Sequence, residues 1–333
     1  MKPYPFIATL IIYTFLITSS CTSQNSTTNN KEIPTATSDS DISVHLETEN
    51  TDSAFPLPTV PTMITNPDDI KVYLSAHYWD RFNFADTTLI RQPEITEQGF
   101  ADYIQLINQL PSDHATKSIH IMLDKAKQHS SMYTHFAKLY EKYFYDPNSP
   151  FRNEDLYTPA LKHFTESGKL PSDLQYIFDF QYKMIQKNRV GSTATNFAYT
   201  LANGQKKMMH DIASNYLILF FTNPNCPSCR STTDQLSNSP VLHEVFARNT
   251  ATYTELTVLS IFPDTNVDEW RKALPTLPKK NWINSFDDGE IIYNKHLYDI
   301  KAIPTLYLLD KDKKVVLKDV TLMEIEEYFI NNL

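Results

Sequence analysis

The stretch Tyr216-Leu217-Ile218-Leu219-Phe220-Phe221-Thr222-Asn223-Pro224-Asn225-Cys226-Pro227-Ser228-Cys229-Arg230 decides how this chain is read. Its first six residues are apolar and three of them are aromatic, the pattern of a strand buried on both faces. Thr222-Asn223-Pro224-Asn225 cannot extend that strand and marks a turn at its carboxyl end. Two cysteines separated by two residues follow, and residues 231–236 suit a helix beginning behind them. A cysteine so placed sits on the first turn of a helix, where unpaired N–H groups and the macrodipole favour the thiolate. Cysteines of CxxC pairs in such settings have pKa values of about 3.5–7.5, against roughly 8.5 for a free thiol. Arg230 adds a positive charge beside the pair and is read as thiolate-stabilising. The thiolate is the form that attacks disulfides, so Cys226 is the candidate nucleophile and Cys229 the candidate resolving thiol.

Far downstream, Ala302-Ile303-Pro304-Thr305 runs into the apolar Leu306-Tyr307-Leu308-Leu309. Strand, CxxC, helix and then this Ile-Pro-Thr, in that order, resemble the thioredoxin-fold domains of the TlpA/ResA type. The resemblance implies a cis peptide before Pro304 that faces the CxxC. Ile303 and Pro304 would then meet the substrate strand and keep a metal from settling on the thiols. It also carries Asn225, standing where thioredoxin has Trp, as a substrate-contacting position. The implied activity is thiol–disulfide oxidoreduction, and Ile before Pro304 is the thioredoxin-type choice that points toward reduction of partner proteins. Disulfide exchange uses no metal and no organic cofactor; its electrons come from an upstream dithiol protein.

The chain also departs from that pattern. Pro227-Ser228 is unlike the intervening pairs of the best-known members. Phe220 stands where thioredoxin keeps a buried Asp, and Thr232 where ResA-like proteins keep a Glu. Asp234 is the nearest acid on that helix, and the proton-transfer partner stays unassigned.

Around this core, the domain is read as residues 189–333. Phe197-Ala198-Tyr199-Thr200-Leu201 alternates like a strand, and Asn203-Gly204 is a two-residue hairpin signal returning through Gln205 to Met209. Pro240 starts a further helix through 241–247. Residues 256–261 read as the next buried strand, joined to a helix around 267–274. Strands near 305–309 and 314–318 turn at Asp310-Lys311-Asp312, and a closing helix covers about 323–330. Strands alternating with helices argue for an α/β sheet.

Residues 67–188 read as helical throughout. Phe100, Tyr103, Ile104, Ile107 and Leu110 repeat at helical spacing until Pro111. Ser112-Asp113 suits a cap for a helix with Ala115, Ile119, Met122, Leu123 and Ala126 on one face. Met132, Phe136, Leu139, Tyr140 and Tyr143 make a third stripe, and residues 153–164 and 172–185 make two more helices, the last capped by Pro171-Ser172. Such aromatic stripes are core far more often than ligand boxes. His77-Tyr78-Trp79-Asp80 together with Asp146-Pro147-Asn148-Ser149-Pro150 is similar to an uncharacterised helical domain that precedes thioredoxin-like domains in lipoproteins of Bacteroidetes. That likeness implies an architecture and no activity. The fold class expected is therefore α+β overall, an all-α domain followed by an α/β thioredoxin-fold domain with an amino-terminal β-hairpin extension.

The remaining segments speak to location. Lys2, an apolar run over 6–17 and Thr18-Ser19-Ser20-Cys21 describe a secretory signal. The run is too short for the roughly 20 residues that span a bilayer. Cys21 after small residues resembles a bacterial lipobox, with Thr18 where Leu is usual. It would be the lipidated first residue, which leaves Cys226 and Cys229 as one working dithiol. Residues 22–66 are rich in Ser, Thr, Asn, Asp and Pro with Phe55 as the only aromatic, and read as a disordered tether. Its reach would be roughly 35–40 Å. The expected location is the cell envelope, lipid-anchored and facing the periplasm.

With 333 residues, 41% hydrophobic and 12% aromatic, the chain can build two cores. A net charge of −9 argues against nucleic acid as partner. Five glycines leave no phosphate-cradling loop. Other readings compete less well. A peroxiredoxin wants Thr or Ser three residues before its reactive cysteine, where Asn223 stands, and a Pro further upstream, where Leu219 stands. A zinc site wants about four ligands, and His210, His243 and His296 are scattered. A non-enzymatic reading makes the helical domain a partner-binding module and the CxxC vestigial.

Overall fold

The computed structural model describes residues 55–332. Six α-helices come first: α1 (Pro67–His77), α2 (Thr96–Ile107), α3 (Ser112–Ala126), α4 (Ser130–Phe144), α5 (Glu154–Ser167) and α6 (Ser172–Ile185). Their apolar stripes converge on one core. Phe100, Tyr103 and Ile107 of α2, Ile119, Met122 and Leu123 of α3, and Met132, Phe136 and Tyr140 of α4 are all buried there. Asn66 caps α1 and Asn153 caps α5 through their side-chain oxygens, satisfying N–H groups that have no partner inside the helix. The caps expected at Ser112-Asp113 and Pro171-Ser172 are not formed. Pro111 and Pro171 occupy the cap positions, and the serines already lie in the first helical turn.

The tether expected to run to residue 66 is also corrected. Phe55 stacks on Tyr78 at 4.9 Å and on Phe82 at 5.9 Å, and meets Trp79 edge-on at 5.0 Å. Arg81 donates to the Leu57 carbonyl at 3.1 Å and to the Thr59 hydroxyl at 3.0 Å. A single aromatic ring with a waiting socket anchors the segment that composition alone marks as unfoldable. Gly99 makes that socket: a Cβ there would stand 2.2 Å from the Phe55 ring. Cys21 and residues 22–54 lie outside the described residues.

The second half is built on a seven-stranded mixed sheet. In chain order its elements are β1 (Ala198–Leu201), β2 (Lys206–Met208), β3 (Tyr216–Phe221), α7 (Pro227–Asn238), α8 (Pro240–Ala247), β4 (Leu256–Phe262), α9 (Val267–Ala273), β5 (Trp282–Phe286), α10 (Ile291–Asn294), β6 (Thr305–Leu309), β7 (Val315–Val320) and α11 (Leu322–Asn332). The strand order is β2-β1-β5-β4-β3-β6-β7, with β3 parallel to β4 and antiparallel to β6. Because side chains alternate along a strand, the apolar run splits cleanly between two faces. Leu217, Leu219 and Phe221 point into one core with Tyr298 and Tyr307. Ile218 and Phe220 point into the other with Leu236, Val245 and Phe329 of α7, α8 and α11.

Two details differ from the sequence reading. The β1–β2 turn holds three residues, Ala202 to Gly204, instead of two: Leu201 donates to the Gln205 carbonyl, and Gly204 takes φ +81° to close the turn. Strand β5 is additional. Its Asn284 and Ser285 look unlike a buried strand, yet Ser260 donates to Asn284 at 2.8 Å and Ser285 donates to the Ser260 carbonyl at 2.9 Å. The parallel neighbour β4, with the Pro278 carbonyl that accepts from the Asn284 amide at 2.6 Å, makes those polar groups tolerable in the sheet.

The two halves keep separate apolar cores, and the contacts between them are largely polar and charged. Tyr145, Arg152 and Glu154 from the helical half meet Asp299, Lys301, Lys318 and Asp319 of the sheet half.

Candidate active site

Strand β3 ends at Phe221, and the turn through Asn225 delivers the chain to the amino terminus of α7. Cys226 is the N-cap residue in extended conformation, Pro227 fills the first helical position, and Cys229 lies on the first turn. Proline there loses nothing, since its missing N–H would have had no partner in the helix. Both cysteines are free thiols; Cys226 is partly exposed and Cys229 is fully buried.

The two thiols are electrostatically unequal. Burial raises the pKa of Cys226, but the Cys229 N–H and thiol, the Ser228 N–H and the Arg230 charge together outweigh it. The result is a thiol held below its ordinary value. Burial pushes Cys229 up to about 11, and the adjacent Cys226 adds to the rise. A backbone group of Asn223 and the Thr222 hydroxyl pull it the other way. A partly exposed, acidic thiol beside a buried, basic one suits sequential attack.

Opposite the thiols lies the loop leading into β6. The Ile303–Pro304 peptide is cis, and the Ile303 carbonyl oxygen stands 4.0 Å from the Cys226 sulfur. The Cys226–Cys229 pair and Ile303–Pro304, about 80 residues apart in the chain, thus meet where β3 ends and β6 begins. Arg230 is exposed on α7 and donates to the Pro224 carbonyl at 3.0 Å, which fixes its charge near the turn. Asn225 is on the rim, where its amide donates to Glu269 of α9 and its N–H bonds the Asn223 side chain at 2.9 Å. Glu269 and Thr222 are site residues that the sequence reading did not single out. Thr222 reads in sequence only as the start of the turn, and Glu269 arrives from a helix about 40 residues away.

Asp234 is exposed on α7. It lines a cavity of about 240 Å³ with Thr222, Arg230, Trp270 and Trp282. Phe220 is fully buried beneath α7, so no carboxylate occupies that strand position. Among the described residues no group of three or more His, Cys, Asp or Glu is placed to hold a metal ion. No described helix is long and apolar enough to cross a membrane.

Comparison with known proteins agrees with this geometry. A thioredoxin-like family model matches residues 214–315, and a model of a domain of unknown function, DUF5106, matches residues 20–188. A thioredoxin-like protein from Bacteroides caccae is 40% identical over 84% of this chain and 99% of its own, with a TM-score of 0.78. The chain belongs to the thioredoxin-like proteins. In this thioredoxin-like protein the helical half corresponds to the DUF5106 domain and the mixed sheet to the thioredoxin fold.

The C-terminal domain of an uncharacterised protein from Bacteroides fragilis is 44% identical over 43% of this chain and 98% of its own, with a TM-score of 0.41. A domain of a possible thiol-disulfide isomerase from Cytophaga hutchinsonii is 26% identical over 44% of this chain and 93% of its own, with a TM-score of 0.36. No curated protein matches the chain.

Proposed function

We propose that this thioredoxin-like protein is a thiol–disulfide oxidoreductase that reduces disulfides of partner proteins through Cys226 and Cys229. The observation that carries the reading is the unequal thiol pair: Cys226 acidic and partly exposed at a helix tip, Cys229 basic and buried beside it.

The Cys226 thiolate attacks one sulfur of the substrate disulfide. That S–S bond breaks, a new one joins Cys226 to the substrate, and the other substrate sulfur leaves as a thiolate and takes up a proton. Cys229 then gives up its proton and attacks the Cys226 sulfur. The intramolecular disulfide forms and the second substrate sulfur leaves. Two electrons have passed to the substrate, and an upstream dithiol protein must return them. The Ile303 carbonyl, 4.0 Å from the attacking sulfur, offers a backbone acceptor to an extended substrate segment, with Pro304 and Asn225 at its edges.

The same proposal places the protein in the cell envelope, facing the periplasm and anchored through a lipid on Cys21. Labelling of cells with a radioactive fatty acid checks this, since the label should vanish in Cys21→Ser. For the activity, reduction of insulin and of glutathione disulfide is compared between wild type and Cys226→Ser. Wild type should be active and the variant inert; equal rates would remove the enzyme reading and favour a partner-binding protein. Mixed disulfides trapped by Cys229→Ser in cells would identify the substrates.

A further inference from the structure

The loop that presents Ile303 to Cys226 is held from two sides. Tyr298 is buried in the sheet core and donates to the Thr195 carbonyl at 2.7 Å, and a second set of contacts comes from outside the thioredoxin fold. Residues 296–301 run between α10 and the active-site proline, and five side chains from the helical half or its connector grip them. Lys187 donates to the His296 carbonyl, and Phe180 meets the His296 ring edge-on at 5.0 Å. Asn188, in the left-handed region at φ 51°, donates to the Leu297 carbonyl at 2.9 Å and accepts from the Thr195 N–H at 2.7 Å. Tyr145 donates to Asp299 at 3.0 Å. Glu154, in the first turn of α5, accepts from Lys301 at 2.8 Å.

These last contacts belong to a closed charge cluster. Lys301, with its side chain 4% exposed, touches Glu154, Asp299 at 3.0 Å and Asp319 at 3.2 Å. Lys318 meets the second oxygen of Glu154 at 2.7 Å, and Arg152 meets Asp319 at 3.2 Å. Three cations face three carboxylates, so the cluster is neutral and each member is needed for balance. Lys301 lies two residues before Ile303. Within that short reach, a displaced Lys301 moves the carbonyl opposite Cys226.

From this we infer that the helical domain is a clamp on the substrate-presenting loop, with Glu154 and Tyr145 as its positioning residues. This rests on the oxidoreductase reading above. Neither residue touches the thiols or the substrate. They act by holding residues 299–303 where an extended polypeptide must pair, which a small disulfide attacked by the Cys226 thiolate does not require. Misplacement of reacting groups by about 1 Å can lower rates on the order of a hundredfold.

The test compares full-length wild type with Glu154→Gln, Tyr145→Phe and the control Asp155→Ala. Asp155 pairs with Arg189 on the exposed rim of the same seam. Each is assayed on insulin and on a small aromatic disulfide, and hydrogen exchange is followed in residues 296–305. The clamp predicts a loss of tenfold or more (about 1.4 kcal/mol) in kcat/KM for insulin in both clamp variants. It also predicts near-wild-type rates on the small disulfide and faster exchange confined to the loop.

The control should match wild type throughout. Insulin rates at wild-type level, or unchanged exchange in the loop, would overturn the clamp in either folded variant. Equal loss on both substrates would also overturn it, as general damage. A wild type inert on both disulfides would sink the oxidoreductase reading itself, and the exchange data would still report whether the lobe holds the loop. Should Glu154→Gln fail to fold, Tyr145→Phe keeps the ring under Lys301 and removes only the bond to Asp299.

Discussion

Lys301→Met is the sharpest probe of the polar seam. The change keeps the aliphatic stem over the Tyr145 ring, which the ammonium now faces at 4.8 Å, and removes the charge shared by Glu154, Asp299 and Asp319. The cluster then has two cations against three carboxylates. Removing one partner of a buried ion pair costs about 3–5 kcal/mol, because the charges left behind are desolvated and unpaired. For a unit of this size that lowers Tm by roughly 6–10 °C.

The pH dependence gives a second handle. Burial works against the Lys301 charge, but Asp299, Glu154 and Asp319 outweigh it and hold its pKa above the ordinary lysine value. A raised folded pKa means this contribution is complete below the unfolded value of about 10.4 and is lost only as pH climbs past it. Burial works against the Glu154 carboxylate too, yet Lys301 and Lys318 pull its pKa below the usual range. A depressed folded pKa means that contribution is present above about pH 4.3 and is lost as pH falls through the lower folded value. The deficit of Lys301→Met should therefore be full at pH 7 and shrink below about pH 4. Thermal unfolding followed by circular dichroism at the two pH values measures it. A variant melting within about 1 °C of wild type at pH 7, or a deficit unchanged at low pH, would refute the reasoning.

Alkylation by iodoacetamide should modify Cys226 selectively, with a rate that rises through a midpoint below the ordinary thiol value. Cys229 should stay unmodified until pH nears 11. Arg230→Ala should move the Cys226 midpoint upward, read from the same pH–rate curve, because its charge lowers that pKa. Gly99→Ala should expel Phe55 from its socket, at a cost of about 1–3 kcal/mol, and open residues 55–66 to limited proteolysis; an unchanged digestion pattern would argue against the socket.

How much of this was legible in residue order varies with the range of the interaction. The helices of the amino-terminal half follow from apolar spacing, since a stripe at helical period has to find a core whatever its partners are. The buried strand β3 and its CxxC follow from one contiguous stretch, because each residue type there favours the same local conformation. Polar β5 was invisible for the opposite reason. Trp282, Asn284 and Ser285 become strand residues between β4 and β1, with Ser260 of β4 bonded to Asn284 and Ser285. Phe55 misleads in the same way, lying in a polar segment whose composition argues for disorder while its one ring finds Tyr78, Trp79 and Gly99.

By itself, then, the sequence determined most of the order of elements, the CxxC pair at a helix start, and the loop motif that would oppose it. These depend on neighbours a few residues apart or on motifs that carry their own geometry. Tertiary structure alone decided how acidic Cys226 is relative to Cys229, and that Glu269 reaches Asn225. It alone showed that a neutral cluster of six charges ties the helical half to the loop before Pro304. Burial and charge pairing depend on which distant segments the fold brings within a few ångströms, and no local pattern of residues encodes that distance.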